Sequence, residues 1–151
     1  MTQLTARPYE DGDYEFVYRL KKTCYYPYVS ALWGWDEEDQ RARFARFMEE
    51  GAGADMVLLL DGEEPVGMLN WEYPDENTLD ICNICLLPAY RGRGIGGELL
   101  REVIDRSDRP VLTLQVFPNN PAIHLYSRLG FRETGRDERH IHMRLEKERG
   151  Q

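Results

Sequence analysis

Leu86-Leu87-Pro88-Ala89-Tyr90-Arg91-Gly92-Arg93-Gly94-Ile95-Gly96-Gly97 sits in the middle of the chain, between two segments of different periodicity. Before it, Thr78 to Leu87 is apolar and rich in Ile, Leu and Cys. After it, Ile95, Leu99, Leu100, Val103 and Ile104 recur at helical spacing. The pattern reads strand, glycine-rich turn, helix. Glycines let a backbone adopt positive φ and approach a ligand closely. A helix start leaves N–H groups unpaired and carries partial positive charge. With the full charges of Arg91 and Arg93 added, the stretch makes a phosphate cradle.

The kind of phosphate is a separate question. A Walker loop requires Lys-Ser or Lys-Thr after its glycines, and none follows here. Gly92-Arg93-Gly94-Ile95-Gly96-Gly97 fits the letters of a dinucleotide fingerprint, but that turn normally follows the first strand of a βαβ array. Arg91-Gly92-Arg93-Gly94-Ile95-Gly96 better matches Arg-x-x-Gly-x-Gly, and so resembles the pyrophosphate loop of the GNAT N-acetyltransferases. A second stretch, Asn119 to Phe131, resembles the late motif of the same family. Asn119, Ala122, Tyr126, Gly130 and Phe131 all fall in register, and the two motifs stand in the family's order. The loop alone would also suit a plain strand-to-helix turn without a ligand.

The resemblance implies an α/β acetyltransferase fold, with a mixed, largely antiparallel central sheet and helices on both faces. It implies acetyl-coenzyme A as co-substrate and no metal. The cofactor would sit where the Thr78–Leu87 and Val111–Val116 strands splay apart. Ile84, Cys85 and Leu86 would face the pantetheine and thioester through their backbone groups. Arg91, Gly92, Arg93, Gly94, Ile95 and Gly96 would hold the pyrophosphate, and Asn119 the pantetheine arm. Tyr126 matches the family's general acid, a phenol that protonates the departing thiolate. Asp80 lies where histone-type members carry a glutamate base. Glu72, His124 and His142 are alternatives, as is a water chain. His124 is two positions from Tyr126 and so belongs to another helix face.

Tyr28, Trp33, Trp35, Trp71 and Glu72, with Asp75, are candidates for an aromatic, acidic acceptor site; a core or staple role for the aromatics is the plainer alternative. The expected reaction is acetyl transfer to a primary amine of a small molecule or peptide, by direct attack in a ternary complex. Two rivals stay open: a non-catalytic acyl-coenzyme A sensor or interaction module, and a nucleotide-binding enzyme using the same glycines. A homodimer also stays open.

The chain's 151 residues allow one domain with a proper core, and residues 1–151 are read as one. Hydrophobic residues make up 42% and charged residues 30%, the balance of a globular protein. A net charge of −8 argues against nucleic-acid binding, which needs a basic face. There is no membrane-length apolar run and no basic-then-apolar leader, which predicts a cytoplasmic protein with no membrane partner. Cys24, Cys82 and Cys85 make no even disulfide set. Cys82 and Cys85 form a C-x-x-C without the second ligand pair of a zinc site, and on one strand they would point to opposite faces. They are expected to be buried structural thiols. No neighbouring His or Lys activates either one for a covalent route.

From the start of the chain, Leu4 to Tyr9 is expected as a strand. A helix follows, capped by Asp11-Gly12-Asp13 and bent or ended near Pro27. Asp36 should cap a second helix that Gly51 stops. Asp55–Leu60 and Glu64–Tyr73 read as a hairpin through Asp61-Gly62. After the glycine loop the helix should run to about Ser107, followed by a strand at Val111–Val116. Pro121 suits the start of a helix ending at Gly130, and Phe131–Thr134 and His140–Leu145 should close the sheet.

Overall fold

The computed structural model describes residues 4–147. Seven strands form one mixed sheet: β1 (Thr5–Pro8), β2 (Met56–Asp61), β3 (Glu64–Asp75), β4 (Thr78–Leu86), β5 (Val111–Val116), β6 (Arg132–Arg136) and β7 (Ile141–Glu146). Their order is β1-β2-β3-β4-β5-β7-β6. The β1–β2, β2–β3, β5–β7 and β6–β7 pairs are antiparallel. β4 and β5 are parallel, in register from Thr78↔Val111 to Ile81↔Leu114, and both strands continue past that pairing. The helices are α1 (Tyr14–Leu32), α2 (Glu37–Glu49), α3 (Ile95–Arg106) and α4 (Ala122–Leu129). Two compact units make up the chain. One contains the chain up to Asn70 together with Asn83–Arg93; the other contains Trp71–Cys82 and the chain from Gly94 onward.

In the first unit a capping box starts the first helical segment. The Asp13 carboxylate accepts from Glu10 N–H at 2.9 Å and is gripped by Arg7 at 2.8 and 2.9 Å. α1 then continues through Pro27 to Leu32, so the helix does not end at the proline. A proline inside a helix costs about 3 kcal/mol or more. Anchors on either side offset that cost: Tyr25 bonds Asn83 at 3.0 Å, and Val29 is buried. Asp36 caps α2 as expected, accepting from Asp39 N–H at 3.0 Å. Val17, Tyr18, Leu20, Phe44, Met56, Leu58, Met68 and Cys85 form the core of this unit. The hairpin turn at Gly62 has φ +64°, conformational space that favours glycine.

One glycine matters for packing rather than for its dihedrals. A Cβ on Gly67 of β3 would lie 2.6 Å from the Cys85 carbonyl oxygen, a backbone atom that cannot rotate away. Gly67→Ala is expected to destabilise the protein by about 1–3 kcal/mol through overpacking. A lower urea midpoint at constant slope would show it; an unchanged midpoint would mean the strands part without cost.

In the second unit Leu79, Ile81, Ile95, Leu100, Leu112, Leu114, Phe131 and Met143 are buried. On β7, Ile141, Met143 and Leu145 are buried while His142, Arg144 and Glu146 are not, the expected alternation of a half-buried strand. Gly130 ends α4 with φ +110°. Just before α4, Asn120 Oδ1 accepts from Ala122 N–H at 2.9 Å, a turn around Pro121.

Candidate active site

The glycine loop follows the end of β4. A short 3-10 turn, Pro88–Tyr90, leads into it, and α3 begins at Ile95. Gly92 and Gly94 have φ of +73° and +78°, so both positions demand glycine. A Cβ placed on Gly92, Gly94 or Gly96 would meet no atom within 4 Å. The loop backbone therefore borders open space, beside the unpaired N–H groups of the first turn of α3. Ile95 turns inward and is buried. The Arg93 guanidinium lies over the Tyr90 ring at 5.2 Å, and Tyr90 OH donates to Asp61 at 2.6 Å.

Arg91 folds back toward the strand. Its Nε donates to the Leu86 carbonyl at 3.0 Å, and an Nη donates to Cys24 Sγ at 3.3 Å. The Leu86 carbonyl is thus engaged within the fold, and the Cys85 carbonyl packs against Gly67. Behind β4 runs a polar chain: Asn83 Nδ2 donates to Oδ1 of the fully buried Asn70 at 2.8 Å, and Tyr25 OH donates to Asn83 Oδ1 at 3.0 Å. Those bonds satisfy side chains that would otherwise be costly to bury.

The second unit holds a carboxylate cluster. The Glu72 carboxylate on β3, the Asp80 carboxylate on β4 and the Cys82 thiol bring one donor atom each within 4.8 Å of one another. Thr113 Oγ1, on the register partner of Asp80, donates to Asp80 Oδ1 at 2.6 Å. Cys82 Sγ donates to Asp80 Oδ2 at 3.5 Å. Asp80 is thereby fixed in orientation, half-buried, with exposed Glu72 beside it. Two carboxylates at this spacing make an acidic patch that can receive a cation.

Tyr126 lies on α4, half-buried, its ring edge-on to Phe131 at a centroid distance of 6.3 Å. His124 is exposed, on another face of the same helix. His142 pairs with Asp137 at 2.7 Å, and backbone N–H bonds from Arg139 and His140, then His142, hold the Asp137 pKa down to about 2. Asn119 is exposed in the turn after β5.

A model of the acetyltransferase (GNAT) family matches residues 14–131. The chain belongs to the GNAT family. It is 33% identical over 114 residues to a mycothiol acetyltransferase of Corynebacterium efficiens, covering 72% of this chain and 36% of that protein. It is 47% identical over 49 residues to the N-alpha-acetyltransferase RimI of Mycobacterium tuberculosis, covering 32% of this chain and 31% of that one. The chain spans about a third of the length of these curated relatives. The same fold occurs in the PaiA N-acetyltransferase of Thermoplasma acidophilum in complex with coenzyme A, at TM-score 0.73 and 14% identity, over 95% of this chain and 99% of that one. A spermidine N-acetyltransferase of Vibrio cholerae, in complex with coenzyme A and spermine, matches at TM-score 0.68 and 20% identity, over 97% of each chain.

Within this GNAT chain the aromatic candidates fall on separate elements. Tyr28 is on α1, Trp33 follows it, and Trp35 precedes α2; Trp71 and Glu72 are on the later half of β3. Trp35 Nε1 donates to Glu37 at 3.0 Å and its ring stacks near Tyr26 at 5.4 Å, so Trp35 serves the start of α2. Trp33 is 42% exposed, unlike a core residue. The thiols depart from expectation too. Only Cys85 is buried; Cys82 and Cys24 are half-buried. Cys24 has the Arg91 guanidinium beside it, a contact that spans 67 positions of sequence. Thr113 was equally hidden, since only the β4–β5 register brings it to Asp80. Among the described residues no helix is long and apolar enough to cross a membrane.

Proposed function

We propose that this chain transfers acetyl from acetyl-coenzyme A to a primary amine of a small molecule or peptide, by direct attack in a ternary complex. The observation that carries the reading is the Asp80 carboxylate, fixed by Thr113 and Cys82 with Glu72 alongside, on the strand that leads into the glycine loop. An attacking amine must be neutral, so a positioned carboxylate that receives its proton is the group the chemistry needs. The matched family segment crosses both compact units, which supports reading residues 1–151 as one acetyltransferase domain.

The roles follow. Arg91, Gly92, Arg93, Gly94, Ile95 and Gly96 cradle the pyrophosphate, Arg91 through its backbone because its guanidinium is turned to Leu86 and Cys24, and Asn119 bonds the pantetheine arm. Backbone groups of Ile84, Cys85 and Leu86 line the acyl arm, and an N–H among them polarises the thioester carbonyl. Since the Leu86 carbonyl already accepts from Arg91, this segment's contribution is best assigned to N–H groups. Asp80 takes the amine proton, with Glu72 holding the cationic acceptor before it is deprotonated. Tyr126 protonates the departing thiolate. Tyr28, Trp33 and Trp71 are assigned to the acceptor; Trp35 is assigned to the cap of α2 instead.

Release of coenzyme A thiol from acetyl-coenzyme A, measured across a panel of diamines, polyamines and peptide N-termini, tests the reading. Turnover on at least one amine is expected. Cofactor binding without turnover on any acceptor would instead support an acyl-coenzyme A sensor. Asp80→Asn is near-isosteric and keeps the Thr113 contact. It is expected to flatten the acidic limb of the kcat/KM profile and to lower kcat/KM by about a hundredfold or more. If only KM rises, Asp80 binds the acceptor and Glu72 becomes the base.

A further inference from the structure

Cys24 and Cys85 lie on α1 and β4, 61 positions apart, yet each sulfur contacts the residue next to the other: Cys24 Sγ the Leu86 carbonyl, Cys85 Sγ the Tyr25 hydroxyl. They differ sharply in surroundings. Cys24 is half-buried, with its sulfur 3.3 Å from an Arg91 Nη and 3.5 Å from the Leu86 carbonyl. Cys85 is 2% exposed and its Sγ lies 3.4 Å from Tyr25 OH. Cys82 Sγ lies 3.5 Å from the Asp80 carboxylate.

We propose that Cys24 and Cys85 form a peroxide-responsive dithiol, Cys24 attacking, Cys85 resolving, and an intramolecular disulfide the product. The bond from Cys85, then the charge and hydrogen bond of Arg91, outweigh burial and draw the Cys24 pKa down to about 7. The bond with Cys24 and burial push the Cys85 thiol up. Around neutral pH Cys24 is therefore a mixture of thiol and thiolate, while Cys85 keeps its proton. A thiolate beside a cation is the reactive form of cysteine.

The steps balance. Cys24 sulfur attacks one oxygen of a hydroperoxide; an S–O bond forms, the O–O bond breaks, and the alcohol or water leaves after taking a proton. Cys85 sulfur then attacks the sulfenic sulfur of Cys24; the S–S bond forms, the S–O bond breaks, and the Cys85 proton leaves with the hydroxyl as water. Two thiols lose two electrons, which the peroxide takes. The product ties α1 to β4 beside Leu86 and removes the anionic sulfur that faces Arg91.

Peroxide treatment of the reduced full chain at neutral pH, followed by N-ethylmaleimide, proteolysis and mass spectrometry, reads the product. The Cys24 and Cys85 peptides are expected to be joined, with the mass lower by two hydrogens, Cys82 carrying the label, and dithiothreitol reversing the link. In Cys85→Ser, Cys24 is expected to stop as a sulfenic acid that dimedone captures. In the native chain, the iodoacetamide reaction of Cys24 should follow a titration midpoint near 7. A link through Cys82, a link between chains, no link at all, or a Cys24 midpoint near the ordinary ~8.5 would each overturn the proposal.

Discussion

Tyr126→Phe is expected to lower kcat by about tenfold to a thousandfold while leaving coenzyme A affinity in place. The substitution keeps the ring that meets Phe131 edge-on at 6.3 Å, so α4 and its packing persist. It removes one hydroxyl, the proposed donor to the thiolate as the tetrahedral intermediate collapses. Without a donor the leaving group must depart as an anion. Because the loss falls on the chemical step, kcat and kcat/KM should fall together. Pre-steady-state release of thiol at saturating acceptor would locate the loss. A Phe variant that turns over at full rate would mean that water or another side chain protonates the thiolate, and Tyr126 would return to being a packing residue.

Gly96→Val is expected to abolish the thermal stabilisation by coenzyme A, through a loss of affinity of a hundredfold or more, about 2.7 kcal/mol. Gly96 is in the first turn of α3, without positive φ, and a Cβ there meets nothing within 4 Å. The valine Cβ thus meets no part of the chain; what the side chain enters is the space where a phosphate would approach the N–H groups of that turn. Gly94→Val adds backbone strain, because Gly94 has φ +78°, and so tests the fold as well as the ligand. Comparing the two separates steric exclusion from loop distortion. Coenzyme A binding unchanged in Gly96→Val, measured by calorimetry, would remove the loop from the site.

The local pattern of the chain was enough for its elements and motifs. Hydrophobic periodicity marked Val111–Val116 to the residue, and placed β4 and α3 to within about a residue or two. Asp36, Gly51 and Gly130 marked helix ends because capping and left-handed backbone are properties of one or two residues. The Arg91–Gly96 and Asn119–Phe131 motifs pointed to the family because each lies within a single stretch of chain. That α1 does not end at Pro27 was hidden for the same reason: the local penalty was legible, and the remote anchors that offset it, Asn83 for Tyr25 above all, were not. Tertiary structure alone decided which distant residues meet. The parallel register of β4 and β5 puts Thr113 on Asp80, and the neighbouring strand adds Glu72. The approach of β3 to β4 forbids a side chain at Gly67. The docking of α1 puts Cys24 against Arg91 and the Leu86 carbonyl, giving its thiol a character that no neighbour in sequence supplies. Such contacts depend on strand register and helix docking, which bury side chains far apart in the chain together, and single-stretch patterns carry no record of that.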